Sequence, residues 1–120
     1  MEDKNVILKK SMDFAVRTVN LYKYLTAEKA EKVMSKQLLR SGTSIGANVH
    51  EGHYGQSRND FTAKMGIALK EASETEYWIE LLYKTEYLTE EEYISLNTDV
   101  QEVMKILTSI VKSSRQEKKN

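Results

Sequence analysis

The side chains of this 120-residue chain that could carry chemistry are charged or hydroxylated, because cysteine is absent. Without thiols there is no disulfide framework, zinc–thiolate finger, iron–sulfur site or cysteine nucleophile. Both histidines fall in His50-Glu51-Gly52-His53, whose i, i+3 spacing around a glycine departs from the i, i+4 pair of H-E-x-x-H. No glutamate is followed by histidine three positions later, so the Glu-x-x-His pairs of a di-iron bundle are missing. No glycine loop is built to cradle phosphate, and no Ser, His and carboxylate spacing signals an activated nucleophile. No catalytic residue, metal or cofactor is assigned, and the expectation is a protein that is not an enzyme.

Three other groups could make contacts. Lys29, Lys32, Lys36 and Arg40 fall within about 80° of arc if their segment is helical, which makes one basic stripe. The stripe reads as a solvated face interrupted by Glu28 and Glu31, as a contact with the next subunit, or as a contact with RNA or DNA phosphates. Ile67, Trp78 and Leu81 lie within about 60° of one another, away from the main apolar stripe of their segment, and mark a candidate oligomer interface. Asn48, Glu51, Ser73 and Glu76 border core stripes on facing helices. They read either as a hydrogen-bond network that sets helix register, with Arg40, or as a shared ligand or nucleic-acid site.

Charge is balanced overall, with eighteen Lys+Arg against eighteen Asp+Glu, which removes the simplest argument for a polyanionic partner. Locally it is not balanced. Residues 71–102 carry one lysine against ten acids, and residues 28–70 carry seven basic residues against four acids. A basic stripe that meets the acidic surface of another copy would give a head-to-tail contact that closes into a ring.

The elements that must position these groups are helices. Proline is absent and only five glycines occur, so little forbids helix anywhere. Apolar residues recur at spacings of three and four through four segments, which predicts helices over about 4–25, 27–54, 58–86 and 90–114, with a frayed tail over 115–120. The first carries Leu8, Met12, Ala15, Val19 and Tyr22 beside Ile7, Phe14, Leu21 and Leu25, a wide apolar face. Thr26 reads as the cap of the second, Ser57 with Asp60 as a capping box for the third, and Thr89 with Glu92 as the full capping box of the fourth. Short linkers force antiparallel neighbours, so the fold class expected is all-α: one left-handed, up-down-up-down antiparallel four-helix bundle. No apolar run approaches the ~18 residues of a membrane span, and the first residues lack a signal-peptide core, so the address expected is cytoplasmic, with no membrane partner.

The segment Leu39-Arg40-Ser41-Gly42-Thr43-Ser44-Ile45-Gly46-Ala47-Asn48-Val49-His50-Glu51-Gly52 is a poor helix by propensity, since each interior glycine costs about 1 kcal/mol relative to alanine. Either a neighbouring helix approaches closely enough to offset that cost, or the segment breaks into a loop. Gln37, Arg40, Ser44, Ile45, Asn48, Glu51 and Gly52, followed by Phe61, Ala68, Ser73 and Glu76, resemble the pattern of the four-helix-bundle family of ribosomal intervening-sequence proteins. Its members are encoded within large-subunit ribosomal RNA genes or as free-standing bacterial genes. Its relatives include the accessory variability determinants of diversity-generating retroelements. The resemblance implies a homo-oligomer, a pentameric barrel, with nucleic acid as the alternative partner.

Overall fold

The computed structural model describes residues 2–119 of the backbone and the side chains of residues 4–116. Four helices follow one another: α1 over Glu2–Glu28, α2 over Met34–His53, α3 over Arg58–Lys84 and α4 over Glu90–Lys119. Connections of four or five residues reverse the chain each time, and each helix packs against its neighbours in order, with α1 returning to α4. The bundle measures 51 × 22 × 20 Å.

The core is a continuous column. Ile7, Phe14 and Leu25 enter it from α1, and Leu38, Ile45 and Val49 from α2. Met65, Ala68, Ala72, Ile79 and Leu82 come from α3, with Leu96, Val100, Val103, Leu107 and Ile110 from α4. With buried Thr75 between Ala72 and Ile79, the α3 and α4 members repeat at spacings of three and four, which is why their stripes read correctly from sequence. The α1–α4 seam is held by charge: Arg17 pairs with Asp99 at 2.6 Å and donates to Ser95, and Lys10 pairs with Glu102.

The Gly/Ser-rich segment is unbroken helix. A Cβ on Gly42 would lie 2.7 Å from the Thr18 side chain, one on Gly46 would lie 3.2 Å from the Ser11 carbonyl oxygen, and one on Gly52 would meet Met65 at 2.7 Å. Ser41 is fully buried and accepts a 2.9 Å hydrogen bond from the Thr75 hydroxyl of α3. The small residues thus let α2 approach α1 on one side and α3 on the other. Contact across both seams offsets the poor propensity. Gly66 has no such duty. Nothing lies within 4 Å of a Cβ built there, so Gly66→Ala is expected to raise stability by about 0.5–1 kcal/mol in urea unfolding.

Several boundaries depart from the sequence reading: α1 runs over Glu2–Glu28 rather than 4–25, and α2 ends at His53 rather than 54. Helix α2 begins at Met34 rather than 27, and Thr26 belongs to α1, where its hydroxyl donates to the Tyr22 carbonyl. The chain turns because Ala30 adopts a left-handed φ of 56°, and the Leu25 carbonyl accepts from both Lys29 and Glu31. Helix α3 stops at Lys84 because Glu86 adopts φ 69°, with Tyr87 donating to Leu82 and Glu86 to Tyr83 in a Schellman closure. Helix α4 runs past 114 to Lys119, because residues 115–119 contain neither glycine nor proline to end it. Asn120 lies outside the described residues. Thr89 and Glu92 form the full capping box as read, with reciprocal bonds of 2.8 and 3.1 Å, whereas at α3 only half of the box forms: the Ser57 hydroxyl accepts from the Asp60 amide at 3.1 Å.

Candidate functional site

The start of α2 is organised by a residue that sequence patterning passes over. Glu31 is only 6% exposed, and its carboxylate accepts from the backbone amides of Val33, Met34 and Ser35 at 3.0, 3.1 and 2.7 Å. Three of the four amides that a helix start leaves unpaired are therefore satisfied by one side chain. Burial pushes its carboxyl upward, but the three amide bonds outweigh it and hold Glu31 below the ordinary carboxylate range.

That break divides the basic stripe. Lys29 and Lys32 sit in the connection rather than on α2, and only Lys36 and Arg40 are helical. Lys29, Lys32 and Lys36 are exposed. Arg40 is engaged within the chain, bonded to Glu71 at 3.3 Å and to Glu74. Glu74 also accepts from the Trp78 indole at 3.0 Å; the indole and the guanidinium together hold its carboxyl below the ordinary range. The four cations read as one surface are thus a spread of separate charges with one of them neutralised.

The four polar residues are not brought together either. Asn48 donates to the Ser44 carbonyl of its own helix at 2.8 Å, Glu51 pairs with Lys64 at 3.0 Å, and Glu76 accepts from Gln101 of α4. Ser73 is exposed. Among the described residues no hydrogen bond joins any two of them, so the network expected from their spacing does not form. The α2–α3 seam is crossed by Ser41 with Thr75, by Arg40 with the two α3 carboxylates and, of the four, by Glu51 alone with Lys64. The expectation failed because apolar spacing locates a face of a helix to within tens of degrees, whereas a hydrogen bond needs a few tenths of an ångström.

The α3 apolar face is present in part. Ile67 is 43% exposed, while Trp78 packs against the core and Leu81 is half-buried. Because Trp78 bonds the carboxylate that Arg40 holds, this side of α3 lies along α2.

A second apolar surface lies on α1. From Leu21 round through Phe14, Ala15, Leu8, Val19 and Met12 to Val16, apolar residues cover about 220° of arc at 100° per residue. A bundle helix needs a stripe of roughly 100° or somewhat more. The surplus is outside: Met12 is 59% exposed and Val16 53%. Leu8, Met12 and Ala15 form one wall of a groove of about 400 Å³ whose other wall is Thr43, Gly46, Ala47 and His50 of α2. The sequence carried this signal in the width of the α1 face, which a count of stripe positions alone does not weigh.

Charge is polarised along the bundle. Cutting each helix midway, residues 2–14, 44–70 and 105–119 share one end and carry eleven Lys+Arg against six Asp+Glu, a net of +5; residues 15–43 and 71–104 carry seven against twelve, a net of −5. The former basic stripe lies in the acidic half. Among the described residues no group of three or more His, Asp and Glu is placed to hold a metal ion, and no helix is long and apolar enough to cross a membrane.

Residues 3–109 match the family described as 23S rRNA-intervening sequence protein. Among solved structures, a protein with unknown function from the S23 ribosomal protein family of Bacteroides thetaiotaomicron is 61% identical, with a TM-score of 0.90 over 92% of this chain and 98% of that one. No curated protein matches the chain.

Proposed function

We propose, from the premise that this chain belongs to the 23S rRNA-intervening sequence protein family, that it is a non-catalytic assembly module in which copies of the chain join into a ring. The observation that carries this reading is the surplus apolar surface of α1, since Met12 and Val16 stay exposed after all four helices have packed. A second, different patch at Ile67, Trp78 and Leu81 supports it. The two patches flank α2 on opposite sides, so a contact between the α1–α2 groove of one copy and the α3 face of the next is heterologous, and each copy is turned relative to the last. Such a contact generates a closed ring or a filament. Five is the subunit number that the family resemblance implies. The ring then presents a composite surface to a further partner. The alternative, RNA or DNA bound by Lys29, Lys32, Lys36 and Arg40, has less support, because Arg40 is paired within the chain and the three lysines lie in the acidic half.

Met12→Glu and Ile67→Glu change exposed positions and should leave the monomer folded. In sedimentation velocity each variant alone is expected to fall to monomer. Mixed together they are expected to form a dimer and stop, since one intact groove and one intact α3 face remain between them. A wild-type chain that sediments as a monomer at high concentration, or variants that keep the wild-type mass, would sink the reading.

A further inference from the structure

At one end of the bundle the four helices leave an open cavity of about 540 Å³. Each contributes to its wall, with Lys4 from α1, His53 from α2, Phe61 from α3, Ser113 from α4, and Ser57 from the connection between α2 and α3. Among the described residues no carboxylate lines this wall. The opening of similar size at the opposite end differs, since it holds Lys29 and Lys84 but also Glu86 and Glu92. A smaller one between α3 and α4 also holds two cations, Lys112 and Arg115, and no carboxylate, but neither His nor Ser lines it.

The side chains are also disposed to receive an anion. The Lys4 ammonium sits 4.6 Å from the centre of the Phe61 ring, which holds it at the cavity wall while leaving its protons available. Ser57 accepts from the Asp60 amide as the cap of α3, so its own proton is free to donate, and the amide of Asn59 lies in the first turn of the same helix. The positive end of the α3 dipole faces this mouth. All of this lies in the half of the molecule with net charge +5.

We infer that this end cavity binds a phosphate group, as free phosphate or as the phosphate of a mononucleotide, through Lys4, His53, Ser57 and the Asn59 amide at the start of α3. Phosphate is favoured over a carboxylate because its three terminal oxygens can take donors from several directions at once, and here donors come from three helices and a connection. The site is at an end of the bundle, away from the flanks of α1 and α3, so it stands or falls independently of assembly.

The test titrates the full-length chain, labelled with nitrogen-15, with inorganic phosphate, adenosine monophosphate and adenosine at constant ionic strength. Saturable shifts of the amides of residues 52–60 are expected with the first two. Lys4→Ala is expected to weaken binding about tenfold, the low end for a charge-assisted bond at a solvent-open site. Lys4→Arg should restore it, and Lys84→Ala at the far end should leave it unchanged. Tighter binding of the nucleotide than of phosphate identifies a mononucleotide as the ligand, and equal binding identifies free phosphate. The inference is overturned if neither gives saturable shifts, if adenosine binds as tightly as its monophosphate, or if Lys4→Ala behaves like Lys84→Ala.

Discussion

Glu31→Ala is expected to lower the unfolding free energy by about 2–3 kcal/mol, a large share of the roughly 5–15 kcal/mol that holds a domain of this size together. The carboxylate is buried and serves three amides at the start of α2, so its removal leaves those donors without a partner in a place that water reaches poorly. Glu31→Gln should cost less, because an acceptor remains and only the charge is lost. The two variants also separate the acid dependence. A carboxyl held below its unfolded value of about 4.3 contributes stability in full above that pH, and the contribution is lost as pH falls through the folded value. Thermal melts of the wild type and Glu31→Gln should therefore differ most above about pH 5 and converge in acid. A gap that stays constant down to pH 3 would show that the charge is not what Glu31 contributes.

Gly42→Val is expected to cost about 3 kcal/mol, with the loss arising in the contact between α1 and α2 rather than in helix propensity. Propensity alone favours the change slightly, since valine is a better helix former than glycine. The opposing effect is steric. A Cβ at position 42 falls 2.7 Å from both Cγ2 and Oγ1 of Thr18, and that hydroxyl is tied by a 2.9 Å bond to the Phe14 carbonyl. Thr18 cannot turn aside without giving up this bond in a buried site, so the helices must separate. Gly42→Ala should show the same effect more weakly, and adding Thr18→Ala should recover part of the loss. A double-mutant cycle by urea unfolding measures that coupling, with about 1 kcal/mol or more expected. If Gly42→Ala stabilised the chain as Gly66→Ala does, the close approach of α1 and α2 would be refuted.

These two positions show how far sequence reaches. Periodicity alone placed the core of α3 and α4, because side chains at spacings of three and four share one side of a helix whatever surrounds it. It also located two caps, whose partners are three residues apart and need no tertiary contact. Family resemblance covered nearly the whole chain, and the match over residues 3–109 agrees with it.

The remainder was decided when helices met. Glu31 looked like one more charge on an exposed stripe until Ala30 turned the chain and carried it under the start of α2. Arg40 looked free until α3 set Glu71 and Glu74 beside it. Asn48, Glu51, Ser73 and Glu76 share a sequence pattern but take separate partners. The apolar surplus of α1, the end cavity and the opposite charges of the two ends depend on which faces remain after association. The physical reason is one of range. Backbone sterics and helical period act over a few residues and are written in the sequence, whereas polar pairing and burial depend on distances between residues remote in the chain, which only the assembled bundle sets.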